Sequence, residues 1–227
     1  MGSPTRLSNG VNTSNGRDGL NMMGQLDPSK FHTFFNDFDT FTAADWTITN
    51  VGVTPTVAVT AVDGGAILQT NTAGIADSAY LQKVGASFSF EAGKQMWFKA
   101  RFQVSDAAQS SIVFGLQVVD TTPLAVSNGM YFLKADNAAT YDFISMSGSV
   151  ATTASAVGSL TSATMTELAF NFDGVNEAEC FADGVLLGRL VLSTLPAGLL
   201  TVSFGMANGE AVAKTMTTDY VFAAKER

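Results

Sequence analysis

The chain has 227 residues, 46% hydrophobic and 14% charged, with a formal net charge of −8; an average globular domain is charged at roughly 25% of its positions. A chain this apolar has the means to bury a core and is not disordered throughout, and its acidic balance excludes the basic footprint of a nucleic-acid binder. With one Cys and one His, it offers no intrachain disulfide, no Cys-built zinc site and few routes to a nucleophilic triad. No run approaches the about 18 apolar residues of a membrane span. No charged start followed by an apolar stretch marks a secretory signal, so synthesis in the cytoplasm is expected.

Residues 1–30 are rich in Gly, Ser and Asn, contain no aromatic ring and keep no hydrophobic period. They are expected to form a flexible N-terminal arm, with Leu20, Met22, Met23 and Leu26 as adaptable apolar side chains for docking on a partner. From Phe31 to Arg227 the pattern is that of β-structure. FHTFFNDFDTF (31–41) is apolar enough for a short helix, but its aromatics favour a strand. Thr56–Val62 is β-branched, and Tyr80–Val84 follows as a strand. In QMWFKARFQV (95–104), Met96, Phe98, Ala100, Phe102 and Val104 alternate with Trp97, Lys99, Arg101 and Gln103, the mark of a half-buried strand. Ser111–Val119, Gly129–Ala135, Tyr141–Met146 and Thr166–Phe172 read likewise. Ser147–Ser162 is a Ser/Thr/Ala/Gly tract suited to a loop or a pale edge strand. Leu200, Val202, Phe204 and Met206 share one face of a later strand; Met216, Thr218, Tyr220 and Phe222 are expected to share one face of the last. Asp63-Gly64, Asn128-Gly129, Asp173-Gly174, Asp183-Gly184 and Asn208-Gly209 are turn dipeptides that tolerate positive φ. Many short antiparallel strands predict an all-β, two-sheet sandwich or jelly roll.

The segment LAFNFDGVNEAECFADGVLLGRL (168–190) carries two Asp-Gly turns between strands. It resembles the hairpin pair of laminin-G-like and concanavalin-A-like jelly rolls. Taken with the N-terminal arm, the opening FFNDFDTF…DW and the ending TDYVFAAKER, the chain resembles the head-decoration (cement) proteins of tailed bacteriophages. That resemblance implies a structural protein of the virion that sits on the capsid surface and bridges major capsid protein subunits, often as a homotrimer, without catalysis.

Candidate chemistry is sparse. Hydrolysis of a glycosidic bond needs two carboxyls at a set separation. The six Glu (Glu91, Glu167, Glu177, Glu179, Glu210 and Glu226) form no E-x-D-x-x-E array, and Glu177 and Glu179 share a face beside a turn, where solvent is the expected neighbour. His32 reads as a surface or packing residue, and Cys180, between Ala178 and Ala182, as a small buried hydrophobe. No phosphate-binding glycine loop is present. Laminin-G-like domains often bind calcium at a rim, and Asp37, Asp39 and Asp45 are close enough in sequence to offer hard oxygens. The alternative use of these Asp residues is turn capping. Trp97 and Arg101 lie on the polar face of their strand. They suit an interface, or a stacking platform for sugar. The expectation is a non-enzymatic capsid decoration protein, and the alternative is a lectin-like carbohydrate-binding module.

Overall fold

The computed structural model describes residues 29–62 and 64–227. The arm expected over 1–30, with Leu20, Met22, Met23 and Leu26, falls outside these residues except for Ser29 and Lys30. The strands in chain order are β1 (Phe31–Asn36), β2 (Trp46–Val51), β3 (Thr56–Val59), β4 (Ile67–Thr70), β5 (Ser78–Lys83), β6 (Met96–Val104), β7 (Ser110–Gln117), β8 (Gly129–Lys134), β9 (Tyr141–Ser147), β10 (Val150–Gly158), β11 (Thr166–Phe172), β12 (Glu177–Ala182), β13 (Val185–Val191), β14 (Thr201–Asn208) and β15 (Thr215–Glu226). One sheet runs β13-β12-β11-β6-β15-β4-β3, with β1 also paired to β15; the other runs β10-β9-β8-β7-β14-β5-β2. Every paired neighbour is antiparallel. The expected two-sheet sandwich is therefore the architecture.

The alternation of β6 places Met96, Phe98, Ala100 and Phe102 in the space between the sheets, where all four are buried. From the facing sheet, β7 contributes Ile112, Phe114 and Leu116, and β14 contributes Val202, Phe204 and Met206. Phe102 and Phe114 stack across the sandwich at 4.0 Å between ring centroids, and Phe114 stacks on Phe204 at 5.5 Å. Such ring pairs add about 1 kcal/mol each beyond the area they bury. Fully buried Phe rings thus form a continuous seam that fixes the spacing of the two sheets.

A second, smaller apolar cluster lies outside the β7/β14 sheet. It gathers Tyr80, Val113, Tyr131 and Ile144 beneath Val126 and Leu124 of the β7–β8 loop. Glycines make room for it. A Cβ on Gly205 would lie 2.3 Å from the Ala79 carbonyl, and one on Gly115 2.4 Å from the Met130 carbonyl. These glycines sit opposite Tyr80 and Tyr131 in the ladders. Burial pushes the Tyr131 phenol up to about 12.

The last strand departs from the expected phase. Met216 and Thr218 face the core, but beyond them Val221 and Ala223 do so, while Tyr220 and Phe222 are only partly covered. The cause is a bulge: Thr218 lies opposite Phe102 and Tyr220 opposite Arg101, leaving Asp219 as an extra residue. The Ser147–Ser162 tract contains an edge strand, β10.

Candidate functional site

The outer face of the β6/β11/β15 sheet holds the polar side chains that alternate with the core. Glu167 on β11 and Tyr220 on β15 lie opposite Arg101 on β6, from its two sides. Lys99 Nζ reaches Glu167 Oε1 at 2.7 Å, and the Tyr220 hydroxyl donates to Glu167 Oε2. Burial and the adjoining carboxylate push the Tyr220 phenol far above its ordinary range. The bulge turns Asp219 and Tyr220, neighbours in sequence, to the same face, and Arg101 Nη1 meets Asp219 Oδ2 at 2.5 Å.

Arg101 and Asp219 form one wall of a cleft of about 400 Å³. Gln103 and Thr217 continue that wall, Thr60 and Val62 of the β3–β4 loop form the other, and Leu68 and Met165 add apolar lining. Donors, acceptors and apolar carbons therefore converge on one open space, the composition of a small-ligand site. On the same face of the sheet, Phe35 of β1 is 59% exposed and its ring centroid lies 6.2 Å from that of Tyr220.

The candidates named from the sequence fall in different places. Trp97 is on the outer face, as its alternation required, but only 7% exposed, with the Phe31 ring 5.8 Å away. The accessible ring of this region is Phe35 instead. Arg101 is accessible and belongs to the cleft. Asp37 and Asp39 flank Gly65, where a Cβ would lie 2.7 Å from the Asp37 carbonyl and 2.8 Å from Asp39 Oδ1; Asp45 lies in a 3-10 turn, Ala43–Asp45, before β2. Among the described residues no three of His, Cys, Asp or Glu converge as a metal group, so the candidate calcium ligands Asp37, Asp39 and Asp45 form no such group. Glu177 and Glu179 pair with Arg189 at 3.5 and 2.8 Å. His32 Nε2 lies 2.9 Å from Ser87 Oγ, and partial burial, with the Arg227 and Lys225 charges, holds its pKa below the ordinary value. Cys180 is fully buried, which pushes its thiol up to about 11. Asp219, Gln103 and Phe35 were missed. The Asp219-Tyr220 pair at a break in the alternation of β15 is the one local signal that marks the place.

No family model matches the chain, and no curated protein matches it. Solved structures share its fold. The endo-1,3-β-glucanase of Streptomyces sioyaensis superposes with a TM-score of 0.63 over 88% of this chain and 98% of that one, at 12% identity. The endo-β-1,4-glucuronan lyase of the fungus Trichoderma reesei gives 0.58 over 84% and 94%, at 11% identity. The potassium-bound carbohydrate recognition domain of Emp46p gives 0.55 over 83% and 94%, at 12% identity. At such identities the likeness is one of fold: a concanavalin-A/glucanase-like jelly roll. It corrects one expectation. Glucanases and a lyase are built on this fold, so the expectation of a chain without enzymatic activity is withdrawn. Nothing in these comparisons points to a phage decoration protein or a capsid.

Proposed function

We propose that the chain is a carbohydrate-binding jelly roll that takes a glycan in the cleft beside Arg101 and Asp219. The observation that carries this reading is the convergence of Arg101, Asp219, Gln103, Thr60 and Thr217 on one open cleft, with the exposed Phe35 ring against Tyr220 on the same face of the sheet. Sugar hydroxyls take paired donors and acceptors, and the C–H faces of a pyranose pack on an aromatic ring. The cleft offers the first and Phe35 the second. A volume of about 400 Å³ lies within the roughly 300–1,000 Å³ of ordinary ligand pockets. The fold's use by glucanases, a glucuronan lyase and a carbohydrate recognition domain supports the ligand class.

The test is calorimetric titration of the full chain with a panel of neutral and uronic-acid oligosaccharides, repeated with Arg101→Ala. Binding by the native chain and its loss in the variant are expected. No binding across the panel, or equal binding by Arg101→Ala, would sink the reading. Assays for new reducing ends and for unsaturated sugar products on the same mixtures report whether binding leads to cleavage.

A further inference from the structure

Among the described residues the sandwich has five edge strands, β13, β3 and β1 in one sheet and β10 and β2 in the other; β1 is bracketed by the charges of Lys30 and Asp37, and β13 and β10 are blunted. β13 is broken by a register shift at Cys180/Phe181 and carries Arg189, while β10 is broken between Ala154 and Gly158, with Ala156 at φ 55°. Val157 of β10 also lies 3.5 Å from where a Cβ on Gly188 of β13 would sit, so these two edges shield one another. Bulges, charges and covering segments are how sheets avoid pairing with other chains. On the opposite side, β2 and β3 have none of these devices. Their registers run unbroken, Trp46↔Lys83 to Val51↔Ser78 and Thr56↔Thr70 to Val59↔Ile67.

The sequence around them is as unguarded as the geometry. From Trp46 to Ala76 the chain has one charged residue, Asp63. Val51, Val53, Val59 and Val62 are each 43–63% exposed. The free donors and acceptors can be assigned. The Val84 N–H donates to the Asp45 carbonyl at 2.8 Å. In an antiparallel ladder the bonded residues alternate, so Thr47, Thr49 and Val51 bond to β5 while Ile48 and Asn50 turn their N–H and C=O groups outward. Among the described residues, β5 is the one strand with which β2 pairs.

We infer that β2 is the interface with a second copy of this chain, the two β2 strands pairing antiparallel so that the seven-stranded sheets join into one. Setting Ile48 opposite Ile48 of the second copy brings Asn50 opposite Trp46 and Thr47 opposite Thr49, a threonine pair of the kind that stabilises adjoining strands. An antiparallel pair of identical strands is closed by a twofold axis, so the edge is consumed and assembly stops at two. The occupant is another copy because the charge distribution suits it. Each chain carries a net charge of −8, and like-charged bodies approach at least cost along their uncharged sides. β2 is preferred to β3 because it offers six residues against four.

The experiment is sedimentation equilibrium of the full chain from low to high micromolar concentration, with Thr47→Lys, Val51→Lys and the β10-edge control Thr153→Lys. Thr47 and Val51 are exposed in the single chain, so both variants are expected to fold, and far-ultraviolet circular dichroism checks this. The native chain is expected to reach twice its monomer mass. Each β2 variant should raise the dissociation constant by about tenfold or more, since a lysine on an edge strand disfavours pairing with another chain, and Thr153→Lys should leave it unchanged. A monomer at every concentration overturns the inference, as does a trimer. A dimer weakened by Thr153→Lys, or unaffected by both β2 variants, overturns it equally.

Discussion

Arg101 on β6 and Asp219 on β15 are held at 2.5 Å by a bulge that places the extra residue of β15 on the outer face. Without that residue, Thr218 would be followed directly by Tyr220 and the strand would carry no carboxylate at this point. The pair is partly solvated, with 46% and 19% of the two side chains exposed. Ion pairs of this kind contribute little to stability. Asp219→Ala is therefore expected to change the unfolding free energy by less than about 1 kcal/mol, measured by urea denaturation, and to abolish glycan binding in the same preparation. A large loss of stability would make the pair a structural strut.

At one end of the sandwich, Lys214 is 3% exposed and its ammonium lies 2.6 Å from Asp106 and 2.8 Å from Glu210. The hydrogen bond from Lys214, outweighing partial desolvation, holds the Asp106 carboxyl below the usual carboxylate range. A group with a depressed folded-state pKa contributes stability above its unfolded value near 3.9 and loses it as pH falls through the folded one. Asp106→Asn is expected to lower stability at pH 7 by about 2 kcal/mol and to flatten the fall in stability below pH 4. Denaturation at a series of pH values measures both. An unchanged acid limb would remove Asp106 from the account.

Gly205 has no room for a side chain, because its Cβ would sit 2.3 Å from the Ala79 carbonyl and 2.6 Å from Tyr80 Cα. Both are backbone atoms of β5 and cannot step aside without parting the ladder. Gly205→Ala is expected to cost about 3 kcal/mol. Gly184→Ala, where a Cβ meets nothing within 4 Å, carries only the strain of its φ of 77°. Urea midpoints of the two variants should separate clearly, and equal midpoints would contradict the packing described for the Tyr80 cluster.

The alternation of apolar and polar residues made β6, β7, β11 and β14 legible, because each has one face in the Phe-lined core and the pattern survives along the whole strand. The site was less legible. Trp97 was placed on the correct face, but the ring that covers it, Phe31, is 66 positions earlier, and no local pattern connects them. Phe34 and Phe35 are adjacent apolar residues, so the sequence does not tell which faces the core; the fold packs Phe34 on the core and leaves Phe35 outside. The phase of β15 was lost at Asp219, since a strict period of two has no place for an inserted residue. β2 went unrecognised because Asn50 and Val51 reverse the alternation begun by Trp46 and Ile48. At an edge strand the two faces differ least in burial, and the pattern fades there.

The central claim is that a glycan occupies the cleft on the β6/β15 face. The most direct measurement is amide chemical-shift mapping of the full chain on titration with the oligosaccharide that binds in the calorimetric panel. Shifts are expected to gather at Thr60, Val62, Arg101, Gln103, Thr217 and Asp219, with Phe35 moving alongside. Shifts gathered instead around Tyr80, Val113 and Tyr131, on the outer face of the other sheet, would contradict it.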